Sequence, residues 1–192
     1  MTVAMDTEIR PDRSGPRNLA VLLMIGSILV LLYGYADLNS HRIGLSDAEA
    51  EDFVLNPSLS GEDNSTIEDY RAFEDDARAN SAFLVRSVSL LVAGSLVLIG
   101  GAMLFRLKRV GAYLSVAGAS IGLIGGVLGS IMIHRSAETY LGDALSFTYE
   151  AWAYICGAMM GLCLAMAALP LLNLRARMAL EPVRLVVSEE AE

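Results

Sequence analysis

The feature that most constrains this chain is a set of four apolar blocks in which Asp, Glu, Lys, Arg and His do not occur. The blocks are Leu19–Ala36, Ser87–Phe105, Val110–Ile133 and Ala151–Leu172. Each is long enough to cross ~30 Å of hydrocarbon as a helix. Because a backbone in lipid must satisfy its own hydrogen bonds, each block is predicted to be helical. We therefore expect an all-α integral membrane protein, a four-helix transmembrane bundle with a small helical acidic extracytoplasmic cap.

The blocks divide the chain into predicted segments. The first block ends in small residues, as a signal peptide would, but its length favours a retained anchor helix. In chain order we expect a disordered tail (1–18), span 1 (19–36), an acidic outer loop (37–82), span 2 (83–106), a basic turn (107–109), span 3 (110–133), a second outer loop (134–150), span 4 (151–172) and a second tail (173–192).

The orientation is predicted from arginine and lysine in the short flanks. These residues occur before span 1, between spans 2 and 3, and after span 4, at positions 10, 13, 17, 106, 108, 109, 175 and 177. All three flanks fall on one side, so both termini are expected in the cytoplasm, with the protein in the plasma membrane. Five aromatic residues are expected to form a belt at the outer interface: Tyr33, Tyr35, Tyr149, Trp152 and Tyr154.

The predicted outer side is acidic. Residues 37–82 contain 12 acidic residues and 3 arginines, a net charge of −9, whereas the whole chain has a net charge of −8. No basic stripe is available to neutralise phosphates, so nucleic acid is excluded as a partner.

The acidic loop contains signals for helices. Ser46 with Glu49, and Ser65 with Glu68, match the capping box that begins a helix. Beyond the second box, Ile67, Tyr70, Ala77 and either Phe73 or Glu74 recur at helical spacing. Neither Pro nor Gly interrupts the sequence from there to Gly94. One continuous helix is therefore predicted from about Thr66 to Leu107, so that span 2 extends into the outer loop.

Two of the spans carry ladders of small residues. Small residues four positions apart let two helix backbones approach closely in a membrane. We expect spans 3 and 4 to be antiparallel neighbours that pack through their ladders, and a homo-oligomer contact is a second use. The ladder positions are Gly111, Gly118, Gly122, Gly126 and Ser130 in span 3, and Ala153, Gly157, Gly161 and Ala165 in span 4.

Motifs for chemistry are weak. His41 and His134, close to Asp37 and Glu138, are weak candidates for a metal at the membrane surface, since two histidines without a tight motif are seldom a site. The acidic run Glu74-Asp75-Asp76 lacks the pattern of a calcium loop, so a solvated acidic face is favoured. No cofactor is expected. Asn64-Ser65-Thr66 matches a glycosylation sequon.

The absence of ionisable groups from the four blocks argues against an autonomous transporter or an intramembrane hydrolase. The order of a long and a short outer loop is similar in layout to claudin-like and tetraspanin proteins, and no residue role follows from that. The leading prediction is a non-enzymatic membrane protein of structural or interaction type, whose acidic loop contacts a protein partner or the envelope. The alternative is a channel or transport-complex subunit that uses the glycine-rich span 3. An enzyme with a metal at His41 and His134 is the third hypothesis.

Overall fold

The computed structural model describes residues 13–55 and 65–180, and within that part of the chain the structure is helical throughout, with no strand. The helices are α1 (Ser14–Arg42), α2 (Asp47–Leu55), α3 (Ile67–Ala79), α4 (Ala82–Phe105), α5 (Arg109–Tyr140), α6 (Asp143–Leu172) and α7 (Leu174–Leu180). The all-α prediction is confirmed. The prediction of four long apolar helices is also confirmed. The helices α1, α4, α5 and α6 are long enough to cross a membrane, and each contains a stretch of 18 residues whose mean hydropathy is between 2.0 and 2.3.

The helices extend beyond the apolar blocks because an α-helix that satisfies its own backbone can continue through polar residues. The helix α1 begins inside the predicted first tail and ends at Arg42. The predicted second loop shrinks to Leu141 and Gly142, since α5 and α6 extend into it from either side. Part of the predicted second tail forms α7. Positions 1–12 and 181–192 of the tails, and the sequon asparagine Asn64, lie outside the described residues.

The prediction of one helix from about Thr66 to Leu107 is wrong, because the chain breaks between α3 and α4. Ser81 has a φ of 60° and a ψ of 21°, a left-handed conformation that a residue with a Cβ seldom adopts. Asn80 stabilises the break from both sides: its Oδ1 accepts a hydrogen bond from the Ala82 amide at 3.0 Å, and its Nδ2 donates to Ser136 Oγ at 2.9 Å. The break lets α3 turn its apolar stripe onto α5.

Capping boxes begin the helices α2 and α3. Ser46 and Glu49 form the predicted box at the start of α2, with Glu49 accepting from the Ser46 amide at 2.9 Å. At α3 the box is one residue later than predicted. Thr66 is the N-cap, and its amide donates to Asp69 Oδ2 at 2.9 Å.

The four long helices form an open bundle. The helix α4 lies between α1 and α5, α6 packs on α5, and α1 and α6 touch only slightly. At one end, called the basic end, a buried cluster joins the start of α1 to the α4–α5 turn and α7. At the other end, called the α2–α3 end, a second cluster joins α2 and α3 to the ends of α4, α5 and α6.

The glycine face of span 3 packs mainly against α4. A Cβ added at Gly118 would lie 2.8 Å from Leu96 Cβ and 2.9 Å from the Ala93 carbonyl oxygen. At Gly111 it would lie 2.5 Å from the Gly100 carbonyl oxygen. Both positions are therefore restricted to glycine by the approach of a neighbouring backbone.

Spans 3 and 4 are neighbours as predicted, because α6 packs on α5, but the prediction that their two ladders face each other is wrong. Gly122 and Gly126 do approach α6, but the side chains they meet there are Met160 and Cys156, which lie beside the α6 ladder. A Cβ at Gly157 would meet only Val127, at an ordinary 3.4 Å, and one at Gly161 would meet no atom within 4 Å. In the remaining ladder positions, Ser130 is buried, Ala153 is half-buried and Ala165 is exposed.

Candidate functional site at the α2–α3 end

A buried ion pair joins α1 to α4. Arg86 donates from Nε to Asp37 Oδ2 at 2.7 Å and from Nη2 to Oδ1 at 2.6 Å. This is the two-pronged geometry in which a guanidinium matches a carboxylate most strongly. Both side chains are only 8% exposed. Each residue lies immediately outside an apolar block, so the blocks themselves are free of charge while the helices that contain them are not.

Two neighbouring residues, Tyr33 and Gly129, accommodate the ion pair. The Arg86 guanidinium lies over the Tyr33 ring, with its carbon 5.3 Å from the ring centroid, a distance at which a cation is attracted to the ring face. On the other side, a Cβ at Gly129 would lie 2.5 Å from Arg86 Cβ and 2.9 Å from its backbone nitrogen. Gly129 therefore lets α5 approach α4 at the level of the ion pair.

A second buried carboxylate anchors the α1–α2 link to α3. Glu74 is 2% exposed. Its Oε1 accepts from the Leu45 amide at 2.9 Å, and its Oε2 accepts from Arg71 at 2.8 Å. Arg78 approaches Oε1 at 3.1 Å and also donates to the Ser40 carbonyl at 3.3 Å. Glu74 was predicted as part of a solvated acidic face, and the structure corrects that prediction: its charge is neutralised internally by two arginines.

The link itself depends on one glycine. Gly44 has a φ of 78°, and a Cβ at that position would collide with the Arg78 guanidinium. A larger residue at Gly44 would therefore displace Arg78 from Glu74.

Aromatic side chains pack α3 onto the bundle. The Phe73 ring centroid lies 4.9 Å from that of Tyr149 and 6.4 Å from that of Phe83. The hydroxyls of Tyr70 and Tyr149 are 3.4 Å apart. Burial raises the pKa of Tyr70 to about 12. The phenol therefore stays protonated at physiological pH, where it acts as a hydrogen-bonding group and not as an acid or base.

The outer surface of α2 and α3 is acidic. Arg71 and Arg78 are bonded to the buried Glu74, and Arg78 also lies 3.6 Å from the exposed Asp75, but the exposed carboxylates of α2 and α3 outnumber these two arginines. Those carboxylates belong to Glu49, Glu51, Asp52, Glu68 and Asp75. The result is a fixed surface of negative charge on two helices that pack against the bundle and are capped at their N-termini.

An apolar cleft begins one helical turn from the ion pair and runs toward the middle of the bundle. It has a volume of about 210 Å³ and lies between α1 and α6, where these helices fail to close on each other, with α4 as its floor. Its lining consists of Leu29, Val30, Tyr33, Leu90, Trp152, Ile155, Cys156, Met159 and Met160. Cys156 and Cys163 are free thiols.

The weak metal candidates gain no further ligands. Both histidines are half-buried, and His134 Nε2 lies 3.5 Å from Glu138 Oε1. Among the described residues, no group of three or more His, Cys, Asp or Glu side chains could hold a metal ion. Two ligands on one helix turn do not complete the four-coordinate shell that zinc prefers.

Sequence reasoning missed the Asp37–Arg86 pair because the two residues are 49 positions apart. The only signal in the sequence was that the two charged residues directly adjoin apolar blocks, one before the outer loop and one after it. The cleft had no sequence signal, because it arises from which helices do not touch. Comparison with family models, curated proteins and solved structures gives no match. The site is therefore interpreted from its own chemistry.

Proposed function

We propose that the protein is a multi-pass membrane subunit that acts by binding a protein partner through its α2–α3 end. The observation that carries this proposal is the buried Glu74 with its two arginines. That network fixes α3 and the α1–α2 link, and it engages both arginines of α3, so that the exposed carboxylates of α2 and α3 outnumber the cations beside them. Rigid presentation of like charges favours a partner with a cationic surface, because complementary charge increases the rate and the specificity of association.

The orientation belongs to the same proposal. Seven of the twelve described arginine and lysine residues lie at the basic end, in the flanks of the long helices, and cytoplasmic flanks are rich in arginine and lysine. This supports a cytoplasmic basic end and an extracytoplasmic α2–α3 end in the plasma membrane. A homo-oligomer contact, if present, is expected along the α6 ladder near Gly161, where a Cβ would meet no atom of the described chain.

No observation favours the channel alternative. It needs the glycine face of α5 to line a path, and α4 fills most of that face. The leading proposal also involves no catalysis.

Co-purification with matched charge variants tests the proposal. The tagged full-length protein is isolated from its native membrane after zero-length crosslinking of carboxylates to amines. In one variant, E51Q/D52N/D75N, three exposed acids are neutralised; in the control, R106Q/K108Q, the basic end is neutralised. We expect a crosslinked partner with wild type and with the control, and a marked loss with the acidic variant. Partner recovery should also fall as salt rises, because exposed charges are screened over ~8 Å at physiological ionic strength. The proposal fails if the protein is recovered alone, or if only the basic-end variant loses the partner.

A further inference from the structure

The cleft between α1 and α6 excludes polar ligands by its chemistry. Its walls are aliphatic, aromatic and sulfur-containing, and no charged side chain lines it. A polar solute placed there would lose its hydration without gaining hydrogen bonds. A buried water needs two to four polar partners, which these walls do not supply. The occupant must therefore be hydrocarbon.

The size of the cleft selects the kind of hydrocarbon. A helix with its side chains is ~10–12 Å across, so it could occupy the cleft only by inserting side chains through the mouth. The cleft volume is about 210 Å³. A flexible chain can lie along such a space over its whole length, whereas a helix from a second copy or from another protein would remain outside it. At its mouth the exposed side chains of Leu29, Ile155 and Met159 continue the apolar surface of α1 and α6.

A polarity gradient gives the occupant a direction. Tyr33 and Trp152 lie at the end of the cleft nearer the α2–α3 end, and such aromatic residues favour the level of lipid headgroups. One turn further, Arg86 uses Nε and Nη2 for Asp37. Its Nη1 makes no hydrogen bond to the described residues and is left as a donor to a headgroup oxygen.

From these three observations we propose that the cleft binds one acyl chain of a membrane phospholipid, with the phospholipid headgroup at the level of Arg86. This site is separate from the acidic surface of α2 and α3. A variant with E51Q/D52N/D75N should therefore leave lipid binding unchanged, so that failure of one proposal is distinguishable from failure of the other.

The chain has a single tryptophan, Trp152, which lines the cleft and is 50% exposed. Bromine atoms quench tryptophan emission at short range, so the full-length protein in detergent micelles is titrated with phosphatidylcholine brominated on its acyl chain. We expect quenching that saturates at a single lipid per chain. Val30→Phe fills the cleft and should raise the lipid concentration for half-quenching by about tenfold or more, equivalent to ~1.4 kcal/mol. Val21→Phe, the same change on an exposed position of α1 outside the cleft, should leave it unchanged.

A second matched pair protects the test against misfolding. Met159→Phe fills the cleft from its exposed mouth, and Leu162→Phe is the same kind of change on the outer face of α6. The proposal is overturned if quenching rises in proportion to lipid without saturating, or if cleft and control variants quench alike. It is also overturned if wild type is a dimer in micelles that either cleft-filling variant converts to monomers.

Discussion

Removal of either charge of the Asp37–Arg86 pair should destabilise the protein strongly, and removal of both should not. Each single change leaves an uncompensated charge at a position that is only 8% exposed in the folded protein. Loss of one partner of a buried pair costs about 3–5 kcal/mol, whereas replacement of both by apolar residues is neutral or even stabilising by about 1–4 kcal/mol. We therefore expect that Asp37→Leu and Arg86→Met each lower the unfolding midpoint by about 6–20 °C, using ~2–4 °C per kcal/mol for a chain of this size.

The assay is unfolding of purified protein in detergent, followed by helical circular dichroism and by Trp152 emission, for wild type, both singles and the double variant. A suitable control is Asp75→Asn, which removes a partner of Arg78 at 3.6 Å whose own side chain is 79% exposed. Exposed pairs contribute about 0–1 kcal/mol, so this variant should stay close to wild type. The reasoning is refuted if the single variants also stay within about 1 kcal/mol of wild type. It is equally refuted if the double variant loses as much stability as the two singles added together.

Two further predictions concern packing and capping. Gly118→Leu should cost about 1–3 kcal/mol or more by overpacking against α4, whereas Gly161→Leu, which enters open space, should stay within about 0.5 kcal/mol in the same unfolding assay; equal losses would contradict the observed packing. Hydrogen bonds from the Thr66 amide and, second, from its hydroxyl lower the pKa of Asp69. The stability that the charged capping box contributes is therefore fully present above the ordinary pKa of an aspartate. It is lost as pH falls through the lowered pKa of Asp69 in the folded protein. The stability difference between wild type and Asp69→Asn should therefore shrink on acidification, and a difference that stays constant from neutral pH to about pH 3 would show that the cap contributes through neutral contacts alone.

The sequence predicts those parts of the fold that depend on local pattern. Four apolar blocks identify the long helices, because only helices satisfy a backbone in lipid. Capping pairs identify the starts of α2 and α3, with an error of one residue at Thr66, since Ser65 is an equally good capping residue by type. The break at Ser81 has no such signal, because a left-handed serine is held there by contacts of Asn80 with another helix.

The sequence predicted that spans 3 and 4 are neighbours, as α5 and α6 are, but it did not predict that the glycine face of α5 packs mainly on α4. Small residues indicate that a backbone approaches closely, but they do not identify the partner. The best available clue was on α4, where Gly100 lies back to back with Gly111 of α5. The short turn between α4 and α5 also places these two helices side by side. The spacing of small residues within a helix contains no information about that turn.

The distribution of polar contacts explains why the bundle is open at one seam. Arg86 ties α1 to α4, and Arg78 ties the end of α1 to α3 through the Ser40 carbonyl. The helix α6 contacts α3 through Tyr149, whose ring packs on Phe73 and whose hydroxyl lies 3.4 Å from that of Tyr70, and the side of α6 toward α1 is almost entirely apolar. In water, the hydrophobic effect would close such a seam. In lipid, hydrocarbon chains satisfy apolar surfaces as well as a neighbouring helix does, so only packing and hydrogen bonds hold helices together. A seam without either is the place where a lipid chain competes with a helix on equal terms, and the cleft occurs at that seam.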